Sequence, residues 1–268
     1  MILAGLSVCF IKLEDMKVES EVINASPVAE KDPATQFLHN GQISDPGLGL
    51  INAIYARRSV RGYLDKEVPQ EVLNRIFAIA QQAPSNCNVQ PWKAYVASGE
   101  LKDRLRQQMV ENTAGSVAPN PDYEYRGDFV NEYRKRQVDC AVALYSKMGI
   151  RRDDREGRKR AVLRNFEFFD APYIAFIGMD PKFGTTVAID VGMWAQTLML
   201  TMVSFGLHSC PMGTMRNYPD LVREAFDIQD GTRILFGISF GYEDSSVPAN
   251  ETRTTRDPIS TNVVFRSS

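Results

Sequence analysis

The chain is short of the residues from which metal sites and disulfide frameworks are built. Its 268 residues include four cysteines and two histidines. Cys9, Cys87, Cys140 and Cys210 stand far apart with no CxxC pair, and only His39 and His208 offer imidazole. This spacing argues against a zinc site and a secreted disulfide scaffold, and it points to a reducing, cytoplasmic setting. Cys140 and Cys210 lie among apolar neighbours and read as core residues. Positive charge is not in surplus either. A formal net charge of -2 and a pI near 5.8 give no general attraction to nucleic acid or to an anionic membrane. Any anion site must therefore be local.

Nucleotide-binding glycine loops are also missing. Gly237-Ile238-Ser239-Phe240-Gly241 fails the GxGxxG pattern, and no GxxxxGK[ST] occurs. Long apolar runs are few. The opening residues 1–11 lack a basic flank and stop at Lys12, so they read as an extension or an overlong start rather than an export signal. Residues 187–207 are interrupted by Asp190 and Gln196 and contain Gly192 and Gly206, the pattern of a buried helix rather than a membrane span. Nor is there a serine with an assignable histidine base: Ser59, Ser85 and Ser209 have none, and His208 reads as a satisfied core or subunit-contact histidine. Without acid–base machinery of its own, the chemistry falls to a cofactor.

What is present suffices for a full-sized core, with 44% hydrophobic and 24% charged residues. Residues 1–46 read as an arm, because Pro27, Pro33, Asn40-Gly41 and Pro46 break any sustained period. Residues 47–268 read as a single domain. Apolar positions at helical spacing predict helices over 48–57, 69–83, 100–112, 129–148, 154–169 and 187–207, with a small one from Pro219. Strands are expected over 92–97, 172–179 and 233–240, with a short one near Leu207. The fold class is α+β, a modest sheet packed against several helices. Residues 113–127, with Tyr123, Tyr125 and Arg126, read as either a connection or a lid.

Three polar clusters stand out. Arg57-Arg58-Ser59-Val60-Arg61 comes at the end of the first helix, and its side chains can converge on one ligand only if the chain has turned extended, since i and i+2 point apart on a helix. Arginine forks suit a phosphate. Pro84-Ser85-Asn86-Cys87-Asn88-Val89-Gln90-Pro91-Trp92 is a proline-bracketed loop whose amides and hydroxyl suit the edge of a heteroaromatic ring, or simply cap a turn. Arg253-Thr254-Thr255-Arg256-Asp257-Pro258 brings further cations at the other end of the chain.

With Cys210-Pro211-Met212-Gly213 and Arg256-Asp257-Pro258-Ile259, these clusters resemble the successive signatures of the flavin-dependent nitroreductase family, in order, from about residue 50 to 264. The resemblance implies a mostly antiparallel central sheet surrounded by helices, and an intertwined homodimer with FMN at the subunit interface. It puts Arg57, Arg58 and Ser59 at the phosphate and ribityl end, Arg61 near the pyrimidine edge, and Arg256 back at the phosphate. Pro84, Ser85, Asn86 and Asn88 would reach the same flavin from the other subunit. Pro211, Met212 and Gly213 would cover one ring face and bring a backbone N–H towards N5.

The activity so implied is electron transfer from NADH or NADPH through FMN to electron-poor aromatics, nitro compounds or quinones, in alternating occupancy of one site. Arg61 would tune the flavin, since a fixed cation beside the charge-accumulating edge favours the reduced ring by roughly 2 to 4 kcal/mol. The alternatives are a dehalogenase or enone reductase on the same cofactor, with residues 113–127 setting the acceptor, and a non-catalytic FMN-binding sensor. No nucleic-acid or membrane partner is expected.

Overall fold

In the computed structural model, the residues described are 38–39, 42–43, 49–124 and 127–267. All of them belong to the unit Pro33–Ser268. The expected arm over 1–46 lies outside the described residues except for β1 (Leu38–His39) and β2 (Gln42–Ile43), which pair antiparallel with Leu38 opposite Ile43. Tyr125 and Arg126 also lie outside them.

The domain runs α1 (Leu50–Ala56), α2 (Gln70–Ala80), β3 (Lys93–Ser98), α3 (Gly99–Ala114), α4 (Asn131–Lys147), α5 (Arg155–Phe166), β4 (Tyr173–Met179), α6 (Thr185–Ser204), β5 (His208–Met212), α7 (Pro219–Ala225), β6 (Arg233–Gly241) and α8 (Ile259–Asn262). Four strands form one antiparallel sheet in the order β3-β4-β6-β5. Every residue of β4 is buried. Alternation sends Tyr173, Ala175, Ile177 and Met179 into a cluster with α2 and α6, and Ile174 and Phe176 into a second cluster with α3, α5 and α7. A strand covered on both faces has no position for a polar residue, which accounts for its unbroken apolar run.

Local chemistry sets the helix ends. The Asp154 carboxylate accepts from the Gly157 amide at 2.8 Å and caps α5. The Pro69 carbonyl opens α2 by accepting from Val72 and Leu73. The apolar helix α6 is a core element, with Trp194 stacked 6.0 Å from Trp92 and Leu198 and Met202 fully enclosed. Trp92 also donates to Gln81 at 2.6 Å, so it ties the segment after α2 to the core.

The two cysteines expected in the core part company. Cys210 is buried, but Cys140 is exposed, because α4 buries none of its residues and leaves Val138 and Val142 outward.

Strand β5 lies at the edge of the sheet, and its outer side is covered by the chain after α1. Ser59 bridges Ser209 in parallel fashion, and Val60 N–H donates to the Ser209 carbonyl at 3.1 Å.

Candidate functional site

Helix α1 stops at Ala56, and Arg57 turns extended with φ -60° and ψ 120°. The chain therefore continues as a strand-like segment along β5, the geometry the arginine cluster needs in order to converge. Arg57, Arg58, Ser59 and Arg61 line one cleft of about 600 Å³, together with His208, Cys140, Thr252, Arg253, Thr254 and Arg256. Cations from the two ends of the domain meet there.

Asn250 holds this meeting point together. Only 3% exposed, its Oδ1 accepts from the Arg61 amide at 2.6 Å, while its Nδ2 donates to the carbonyls of Gly62 and Asp244, each at 2.9 Å. Gly62 is required for the close crossing, since a Cβ there would fall 2.5 Å from Val247 Cγ2. Below, the Tyr63 hydroxyl donates to the Val60 carbonyl at 2.9 Å and reaches Ser239, which fixes the segment to β6.

The cleft is electrostatically unsatisfied. Arg57 is held below its ordinary pKa by burial and then by the like charge of Arg256. Arg58 donates through Nη2 to Glu243, whose other oxygen stands 3.6 Å from His208 Nε2. Burial pushes His208 down, against the pull of Glu243. Among the described residues, Arg58 Nη1, His208 Nδ1 and Thr252 Oγ1 are buried with no hydrogen-bond partner. Such orphans are costly unless a ligand pairs with them. Two like-charged guanidinium groups and a set of spare donors make a receptor for an anion with several acceptor oxygens. Of the two expectations for His208, a satisfied core or a subunit-contact histidine, the first is corrected: the ring lies at the cleft with Nδ1 unpaired.

The other expected contacts lie elsewhere on the chain. Pro84, Ser85, Asn86 and Asn88 do not line this cleft. Their loop is held in an unusual backbone shape, with positive φ at Cys87 (48°), Asn88 (56°) and Gln90 (49°). The buried Asp190 carboxylate accepts from the Asn86 amide at 3.1 Å, and Ser85 Oγ accepts from Gln90 at 2.9 Å. Strain of this kind persists only where the surroundings over-determine it. Pro211 and Gly213 are exposed and Met212 is buried in the core at the end of β5; none of the three lines the cleft.

Within residues 113–127, the described part is anchored rather than lid-like. Asp122 accepts two bonds from Arg223 and one from the Ile234 amide at 2.7 Å, and the Asn120 amide donates to Asn217. Up to Tyr123 the segment is connective. Glu243, Asn250, Asp190 and Thr252 escape a reading of the sequence. A lone glutamate after Gly241-Tyr242 and an asparagine in a polar turn carry no periodic or motif signal.

Comparison with known proteins agrees with this arrangement. A family model described as the nitroreductase family matches residues 54–242. Nitroreductase NfnB of Mycolicibacterium smegmatis is 35% identical over 229 residues, which span 85% of this chain and 97% of that protein. A 4-nitrobenzoate reductase of a Nocardioides species is 34% identical over 227 residues, 82% of this chain and 91% of the other. The crystal structure of the FMN-dependent nitroreductase NfnB from Mycobacterium smegmatis in complex with NADPH matches with a TM-score of 0.77 and 35% identity, covering 80% of this chain and 96% of that one. With an antiparallel sheet between helical layers, an arginine-lined cleft at its edge and this extent of likeness, the chain belongs to the nitroreductase family.

Proposed function

We propose that the protein is an FMN-dependent oxidoreductase that takes electrons from NADH or NADPH and passes them to nitroaromatic or quinone-like acceptors. The observation that carries this reading is the convergence of Arg57, Arg58, Arg61 and Arg256 on one cleft with buried donors unpaired. An FMN phosphate fits it: a dianion relieves the Arg57–Arg256 repulsion and offers acceptors to Arg58 Nη1 and Thr252 Oγ1. FMN supplies hydride acceptance and release at its ring, chemistry for which the chain needs no obligate acid or base.

The chain's own work is binding and orientation. Arg57, Arg58, Ser59 and Arg256 hold the phosphate and ribityl end, and Arg61, fixed through Asn250, sets a positive charge beside the ring edge. The loop carrying Pro84, Ser85, Asn86 and Asn88 serves the cleft of a second copy, and its strained, tethered backbone suits a preformed wall. Pro211 and Gly213, exposed at the end of β5, flank a ring face, where Met212 contributes its backbone because its side chain is packed in the core. A homodimer is supported by apolar side chains left outward on α1 and α6: Leu50 is 66% exposed, Ile51 70%, Tyr55 87% and Ile189 62%. The domain assignment of 47–268 as one FMN-binding unit and a cytoplasmic location belong to the same reading.

The test is anaerobic. Purified yellow protein should bleach on adding NADPH or NADH and regain colour on adding 4-nitrobenzoate. A colourless protein that takes up no FMN, or a bound flavin inert to both donors, overturns the reading.

A further inference from the structure

A carboxylate directly behind the wall of an anion site is out of place on charge alone. Glu243, just beyond β6 and with its side chain 16% exposed, does not line the cleft but backs onto Arg58, which does, and on charge alone should repel a phosphate there. Its backbone is fixed by a bridge to Tyr63 and by the Leu64 amide donating to the Tyr242 carbonyl at 2.9 Å. From that mount, one oxygen takes Arg58 Nη2, and the other stands 3.6 Å from His208 Nε2. Arg58 is thereby held through Nη2 while its Nη1 stays buried and unpaired.

Resting on the FMN reading of this cleft, we propose that Glu243 is a positioning residue that clamps Arg58 so that its free Nη1 donor is preset for the flavin phosphate. A long arginine side chain otherwise samples many rotamers and loses that freedom on binding. The carboxylate removes that loss in advance and stops Arg58 from turning away from the like charges of Arg57 and Arg256. Preorganisation and charge thus predict opposite signs. Without Glu243 the cleft is more positive yet binds FMN less well.

The experiment titrates the full chain, freed of flavin, with FMN and with riboflavin, following quenching of flavin fluorescence. Wild type should favour FMN over riboflavin. Glu243→Ala should weaken FMN binding about tenfold, the scale on which loss of an orienting partner acts, and leave riboflavin binding unchanged. Glu243→Gln, which keeps the volume and one acceptor for Arg58, should lose less. Adding Glu243→Ala to Arg58→Ala should cost no more FMN affinity than Arg58→Ala alone, because the clamp acts through that guanidinium. Tighter or equal FMN binding in both Glu243 variants overturns the proposal, as does equal weakening for riboflavin or an additive double variant. A wild-type chain that binds neither flavin ends the cofactor reading itself, a result separate from failure of the clamp.

Discussion

Replacing Asn250 by alanine should loosen the arginine segment more than any other single change outside the apolar core. The side chain makes three hydrogen bonds while 3% exposed. After truncation, the Gly62 carbonyl keeps the Asp244 amide at 3.1 Å, and the Asp244 carbonyl keeps the Val247 amide at 3.2 Å. The Arg61 amide, whose acceptor is the Asn250 side chain, is left unsatisfied. One orphaned buried donor costs about 1–3 kcal/mol, and two lost bonds whose acceptors stay paired cost about 0.5–1.5 kcal/mol each. The expected loss is therefore about 2–6 kcal/mol. With a urea slope of about 3 kcal/mol/M, the upper end expected for a chain of this size, the unfolding midpoint should fall by about 0.7–2 M. The measurement belongs at fixed protein concentration with flavin removed, since subunit and cofactor binding both shift apparent stability. Asn250→Asp keeps the acceptor for Arg61 but turns an oxygen towards two carbonyls, so it should fall at least as far. A loss below about 1 kcal/mol for alanine, with flavin affinity unchanged, would refute the claim that Asn250 holds Arg61 in place.

Further outcomes come from the same geometry. Gly62→Ala puts a methyl 2.5–2.6 Å from Cβ and both Cγ atoms of Val247; it should destabilise by about 1–3 kcal/mol, and in urea titrations adding Val247→Gly, which removes all three atoms, should recover more of the loss than Val247→Ala, which keeps Cβ at 2.6 Å. His208, depressed below 6.5 chiefly by burial, should be neutral at pH 7 in the flavin-free protein. As pH falls, the unfolded chain takes up the imidazole proton first, so this contribution to stability is intact above about 6.5 and is lost as pH drops through the lower, folded value. An NMR titration of the ring placing its pKa at or above 6.5 contradicts the assignment, and His208→Asn should remove the associated pH slope. Ile51→Asp and Ile189→Asp, at positions 70% and 62% exposed in one chain, should give folded monomers by size-exclusion chromatography with reduced flavin retention; an intact dimer for both would place the interface elsewhere.

Much of the framework could be read from local pattern. The apolar run of β4, the buried helix α6 and the strand β6 emerge from spacing alone, because a strand covered on both faces and a core helix leave little room for polar residues. The arginines of 57–61 and 253–256 could be singled out because their side-chain chemistry is specific even when their surroundings are unknown. Cys140 shows the limit. Its apolar neighbours suggest burial, yet α4 buries none of its residues and leaves Cys140 exposed with Val138 and Val142.

By itself, then, the sequence determined which elements form and which side chains carry positive charge, since both depend on neighbours within a turn or two of the chain. Only the tertiary structure decided which of those charges meet. Arg58 finds Glu243 across 185 positions and Arg61 finds Asn250 across 189, pairings that leave no periodicity to read. The same folding sets the tethered loop at Ser85–Gln90 apart from the cleft of its own chain. Long-range polar contacts are chosen by the packing of the sheet and helices, and until that packing exists an isolated glutamate or asparagine looks like any other surface residue.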